Sequence, residues 1–366
     1  MRSARIRNSR LVVFFLLALV LAACSPGHAG GGGSSDALGS GVTQGPDRQD
    51  GLDQDGHREE FLYVVAINSG DDVNPDFLAV VGADPRKRGQ YGRILTRADL
   101  PTVGDNVHHF GYSLDQERLF VPGLFSSRMH VFDVSKQPRR PRLVAVQDDL
   151  VEDSGYQAPH TVTPLEGGSI LVSMLGADTE TTGPGGVVVL DDRSGEFVSH
   201  FGPGPERTED ESGPKYMYDL AFKPEINRAV STTWGYPGDV LQAPYGPNGD
   251  EVAVWDVEQE KIIQTVDLGP NSGATESDWL HAENVRRGYT VAANGGLWLW
   301  EDDDEDGLLA FHQVLDNLAV PCDLVIPPMT ATCSSPTGSP TRSSSTTSAM
   351  STAPACWQKS RSLTPA

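Results

Sequence analysis

Leu119-Phe120-Val121-Pro122-Gly123-Leu124 is followed by a short polar turn and then by Arg128-Met129-His130-Val131-Phe132-Asp133-Val134. Both runs are rich in β-branched and aromatic residues, so they read as two strands of a hairpin. The same two-strand phrase returns as Ile170 to Met174 with Gly186 to Asp191, and as Arg228 to Thr232 with Glu251 to Val257. A fourth copy is Tyr289 to Ala292 with Gly296 to Glu301, and each second strand closes on or near an acidic residue. The copies lie about 45–65 residues apart, a spacing that predicts propeller blades rather than a single sandwich. The fold class expected is all-β.

The inner strand of every blade lines the axial channel, so equivalent positions of successive blades converge there. Counting ten residues back from Leu119, Ile170, Ala229 and Val291 reaches His109, His160, Asp219 and His281. His108 adjoins the first of these. Taken singly, a histidine is usually a hydrogen-bonded core or surface residue. In shared register, these imidazoles suit copper, zinc, iron or nickel.

A net charge of −22 over 366 residues repels polyanions, which argues against nucleic acid as a partner. Arg2, Arg5, Arg7 and Arg10 precede the apolar run Leu11 to Ala23, which is too short for an ordinary membrane span. The run ends in small residues before Cys24. That pattern predicts residues 1–24 as a lipoprotein signal, with the mature chain exported and lipid-anchored through Cys24 to the outer face of a bacterial membrane. Residues 25–60 are rich in Gly, Ser, Asp and Gln and predict a flexible spacer. Residues 61–328 carry the strands, beginning with Phe61 to Ile67, Asp76 to Gly82 and Arg93 to Thr96, and no helix-period stretch is evident there.

Several segments together resemble the selenium-binding protein family, which includes the bacterial methanethiol oxidases. They are Asn74-Pro75-Asp76-Phe77-Leu78, His108-His109-Phe110-Gly111-Tyr112, Ser126-Ser127-Arg128, Pro138 to Leu143, Tyr218 to Pro224 and Trp279-Leu280-His281. The resemblance runs in order from about Phe61 to Pro328. It implies a seven-bladed propeller of which about five blades or fewer are complete here. It also implies copper dependence and the oxidation of methanethiol by oxygen and water to formaldehyde, hydrogen sulfide and hydrogen peroxide. His108, His109 and His160 are similar to the family's proposed copper ligands. His281 is then a further ligand or a catalytic base, with Asp219 and Asp323 orienting imidazoles. Animal members carry a selenium-holding cysteine near the position of Ala66, so selenium attachment of that kind is not expected here.

From Met329 to Ala366 the composition turns to Ser, Thr, Pro and Ala, and the strand pattern stops in mid-blade. One reading is a disordered tail. Another comes from the codons: moved back one base, they permit Leu-Phe-Val-Ser-Asn-Trp and then Val-Leu-Gln-Tyr-Asp-Val. That is a fifth copy of the opening phrase, with Asp323 ten residues before its first strand in the register of the histidines. A single-base deletion near the Pro328 codon is thus expected, and a truncated ring would be inactive.

Cys322 is the one cysteine of the strand-bearing region, so no disulfide framework is expected. It reads as a small buried apolar residue or as a soft copper ligand. Asp302-Asp303-Asp304-Glu305-Asp306-Gly307 starts like a calcium loop, but Gln313 stands where such loops need a bidentate Glu. A polar hairpin turn accounts for it. Gly183 to Gly186 precede no helix and make no phosphate cradle. The competing functions are a non-catalytic, lipid-anchored propeller that binds ligands or proteins, and a lactonase-like propeller, which would want acidic ligands in place of histidines.

Overall fold

A computed structural model describes residues 59–68, 74–177, 184–203, 217–235, 249–282, 285–302, 306–318 and 323–326. All of them fall in the compact unit that starts at Pro46. Cys24, Cys322, Cys333 and Cys356, the signal run and the Ser/Thr-rich tail lie outside the described residues.

Within each sheet, every strand pairs antiparallel with the next in the chain. The first sheet holds β1 (Phe61–Ala66), β2 (Phe77–Gly82) and β3 (Ile94–Asp99). The second holds β4 (Gly111–Tyr112), β5 (Arg118–Gly123), β6 (Arg128–Asp133) and β7 (Arg142–Gln147). The third holds β8 (Tyr156–Leu165), β9 (Ser169–Ala177), β10 (Gly186–Asp191) and β11 (Phe197–Phe201). The fourth holds β12 (Leu220–Lys223), β13 (Arg228–Thr232), β14 (Glu251–Asp256) and β15 (Lys261–Asp267). The fifth holds β16 (Ala274–Trp279), β17 (Arg287–Ala292), β18 (Leu297–Glu301) and β19 (Ala310–Leu315). The molecule is a β-propeller whose repeated phrase forms the middle hairpin of each four-stranded blade.

Packing explains why those middle strands read as unbroken apolar runs. Alternate residues of a strand face opposite sides of its sheet, and both sides are covered by a neighbouring blade. Leu119 and Val121 of β5 pack against Leu78 and Val80 of the first sheet. Phe120, from the opposite side of the same strand, packs with Ile170, Val172 and Val188 of the third. Leu171 and Val187 then meet Ala229, Ala253 and Trp255, and Val230 and Val254 meet Trp279 and Trp300. The outermost strands lie at the water boundary, and β15 alternates exposed and half-buried residues along its whole length.

Cross-strand charge pairs fix the register. Arg118 lies opposite Asp133, Arg228 opposite Asp256 and Arg287 opposite Glu301, with N–O distances of 3.3, 3.4 and 2.7 Å. This frame corrects the alignment of the fourth copy. The counterpart of Leu119, Ile170 and Ala229 is Gly288, not Val291, and ten residues before Gly288 stands Asp278 rather than His281.

Among the described residues, one short α-helix, α1 (Leu150–Ser154), and a 3-10 turn over Pro224–Ile226 lie within the strand-bearing region, where no helix was expected. At five residues α1 is too short to show a helical period, and Gly155 in the left-handed conformation ends it. Asp302, at the start of the acidic run, is buried and accepts hydrogen bonds from Arg286 Nη1 at 2.9 Å and Gly307 N at 3.2 Å. Asp303, Asp304 and Glu305 of that run lie outside the described residues.

Candidate metal centre in the channel

The inner strands β4, β8, β12 and β16 stand side by side, and the site forms from residues just before β4 and β12 and from bulges within β8 and β16. His108 and His109 lead into β4, with the His108 N–H bonded to the Pro122 carbonyl. His160 lies on β8 at a bulge between Pro159 and Val162, where His160 and Thr161 together oppose Ser173. Bulges re-aim side chains and recur beside functional sites. His109 and Ala158 are both held at positive φ, 32° and 60°, a conformation costly for residues with a Cβ.

These turns bring three imidazoles together. Ring centroids are 4.0 Å apart for His109 and His160, 4.8 Å for His108 and His109, and 4.9 Å for His108 and His160. One ring nitrogen from each lies within 4.8 Å of the others. Tyr218 closes one wall, its ring 3.7 Å from that of His160 and its hydroxyl 3.4 Å from His108 Nε2.

Hydrogen bonding decides how His160 presents itself. The Thr161 hydroxyl donates to Asp219 Oδ1 at 2.7 Å, and it has one proton to give. At 3.1 Å from Thr161 Oγ1, His160 Nδ1 must therefore be the donor to that hydroxyl. The lone pair is left on Nε2, which is fully buried and meets no hydrogen-bond partner. A buried nitrogen without a partner is costly unless something fills the place, and a metal ion does so.

Electrostatics favour the same use. Burial, with His109 beside it, holds the His108 imidazole down to about 3, and burial holds His109 down to about 4. Burial and then the two neighbouring rings push His160 well below its usual value. All three are neutral at neutral pH, the form that binds metals. Asp219 is raised to about 6, chiefly by burial, against the hydrogen bonds from Thr161 and Ser277 that lower it.

Asp219 thus stands behind His160, joined to it through Thr161, and its other oxygen accepts from Ser277 N of β16 at 2.8 Å. His281 does not join the cluster. It lies five residues beyond Glu276, past the end of β16, nearly half exposed, with Nε2 3.9 Å from Asp278 and bonded to the Ile326 carbonyl. Asp323 is exposed, at the start of a short stretch whose Ile326 N–H is held by Asp278. Three residues at the site were not singled out from the sequence: Thr161, Tyr218 and Glu276. Glu276 is buried on β16, with Oε1 3.6 Å from His109 Nε2. Tyr218 directly precedes the register position of Asp219, and Glu276 lies two residues before the corrected position at Asp278.

Comparison with known proteins shows the family. A family model described as 56 kDa selenium binding protein matches residues 45–336. A methanethiol oxidase of Xenopus laevis is 31% identical over 294 residues, covering 74% of this chain and 60% of that protein. Selenium-binding protein 2 of Mus musculus is 32% identical over 264 residues, covering 65% of this chain and 53% of its own. The chain thus spans about 60% or less of the length of these relatives. Among solved structures, a hypothetical selenium-binding protein from Sulfolobus tokodaii superposes with a TM-score of 0.61 at 28% identity, covering 70% of this chain and 60% of that one. A periplasmic gluconolactonase of Pseudomonas aeruginosa, at 14% identity and a TM-score of 0.50 over 74% of this chain and 70% of its own, shares the fold alone.

Proposed function

This chain belongs to the 56 kDa selenium-binding protein family, and from that premise we propose that it oxidises methanethiol at a copper centre held by His108, His109 and His160. The reaction would consume oxygen and water and release formaldehyde, hydrogen sulfide and hydrogen peroxide. The observation that carries the reading is the buried, unpartnered Nε2 of His160, on a ring packed against two other imidazoles that burial keeps neutral. Relatives named methanethiol oxidase supply the substrate and the fact of its oxidation, and the products come from the family resemblance. Copper comes from the family resemblance, and three nitrogen donors suit it.

Bound copper would hold the thiol as thiolate and pass to oxygen the two electrons that the methyl carbon gives up as it becomes formaldehyde, the sulfur leaving unoxidised as sulfide. The chain's own residues set that chemistry up. Burial keeps the imidazole lone pairs free of protons at neutral pH. Thr161 and Asp219 fix the Nδ1–H tautomer of His160 and so leave the Nε2 lone pair free to bind. Tyr218 packs over His160 and covers one side of the cluster, which restricts water there. No step falls to His281 or Asp323.

The reading also takes the chain as exported and tethered through Cys24, on the strength of the apolar run and the small residues before that cysteine. The test is copper content and turnover of the purified protein beside His109→Ala and His160→Ala. Near-stoichiometric copper and release of sulfide and peroxide from methanethiol are expected of the wild type, and both should be lost in the variants. Copper retained in His160→Ala would defeat the metal assignment. Copper without sulfide release would leave a metal-binding propeller of another function.

A further inference from the structure

A second bulge lies in the channel, on the inner strand of the fifth sheet. Ala274 pairs with Ala292 and Ser277 with Thr290, so Thr275 and Glu276 together oppose Val291. In the third sheet the same two-against-one arrangement sets His160 and Thr161 opposite Ser173. Each bulge therefore sits at the same level of its blade, and each carries a side chain that reaches the histidine cluster. The Thr275 carbonyl is gripped by the Thr232 hydroxyl, and Ser277 N by Asp219, so the bulge is held on both sides.

The distance from Glu276 decides what it does there. At 3.6 Å, Oε1 and His109 Nε2 are too far apart for a hydrogen bond. Two ligands about 2.0–2.2 Å from one ion, at the tetrahedral angle, stand about 3.4 Å apart. The separation found is close to that of two donors to a shared metal. We infer that Glu276 is a fourth ligand, so that the centre is built of three imidazoles and one carboxylate drawn from three inner strands. The inference rests on the three-histidine reading above and deepens it.

An anionic oxygen alters what the centre prefers. Carboxylate is a hard donor beside imidazole and favours the more highly charged ion. Glu276 thus biases the site toward Cu(II) over Cu(I) and lowers the reduction potential of the pair. The neutral isostere in Glu276→Gln keeps the shape and loses the charge.

The test uses the full chain loaded with Cu(II) and compares wild type, Glu276→Gln, Glu276→Asp and His160→Ala. Competition with a chelator should show Cu(II) affinity weakened at least about 10-fold in Glu276→Gln, with altered copper hyperfine splitting and a more positive reduction potential. Glu276→Asp, one methylene short, should show the same changes to a smaller degree and serves if the amide variant does not fold. An unchanged affinity and spectrum in Glu276→Gln, with copper lost in His160→Ala, would overturn the inference and leave the three-histidine centre standing. Weaker binding with an unaltered spectrum would make Glu276 a positioning residue and would also overturn it. Absence of copper from the wild type would remove both readings.

Discussion

His160 and Asp219 hold opposite ends of one short relay, and their acid–base behaviour gives a prediction about the metal-free protein. Unfolded, each of His108, His109 and His160 titrates near 6.5. Folded, the first two lie at about 3 and about 4 and the third well below its usual value. As pH falls below 6.5 the unfolded chain takes up protons that the folded rings refuse, so stability falls with it. Asp219 works the other way between about 6 and 3.8, where the folded form keeps a proton that the unfolded chain releases. Three rings oppose one carboxyl, and the rings win. The urea midpoint of metal-free protein should drop steadily from pH 7 to pH 4, with a shallower slope in His109→Asn. A midpoint flat over that interval would show that the imidazoles are not held neutral by burial.

Whole strands explain both what the sequence reveals and where it misleads. The middle hairpins are legible because neighbouring blades bury both of their faces, which leaves uninterrupted runs such as Leu119 to Val121 and Ile170 to Met174. His109, His160 and Asp219 are legible because three copies share a register. The fourth copy misleads because its apolar run begins late. Gly288 and Tyr289 stand where the other blades have plainly apolar residues, so hydropathy points to Val291. The pairing of Arg287 with Glu301, matching Arg118 with Asp133, marks the true frame. Glu276 escapes any register count because a bulge adds a residue to its strand.

Inner strands also depend on one carboxylate. Asp219, just before β12, accepts from Thr161 on β8 and from Ser277 N on β16, and so ties three blades. Asp219→Asn would leave one amide acceptor for Thr161 and turn an N–H toward the N–H of Ser277. Two buried donors facing each other cost about 1–3 kcal/mol. Chemical denaturation of the metal-free variant should show a loss of that order. A change within about 0.3 kcal/mol, the scatter of independent surface substitutions, would mean that the blades do not need the tie.

At the scale of the molecule, blades touch mainly their neighbours, so anything that spans them acts on the whole assembly. The metal donors come from separate sheets: His108 and His109 from the second, His160 from the third. A set of this kind exists only when those sheets are docked, so the ion binds the folded chain and not the unfolded one. Linkage then raises stability by about 2.7 kcal/mol at a free-metal concentration 100 times the dissociation constant. For a domain of this size, each kcal/mol moves the melting temperature by about 2–4 °C. Copper loading should therefore raise the melting temperature by about 5–10 °C, and the rise should vanish in His160→Ala. The comparison separates the channel site from surface binding, since stray copper on exposed carboxylates would shift both proteins alike. Equal shifts in the two would mean that the imidazoles do not bridge the blades through a metal.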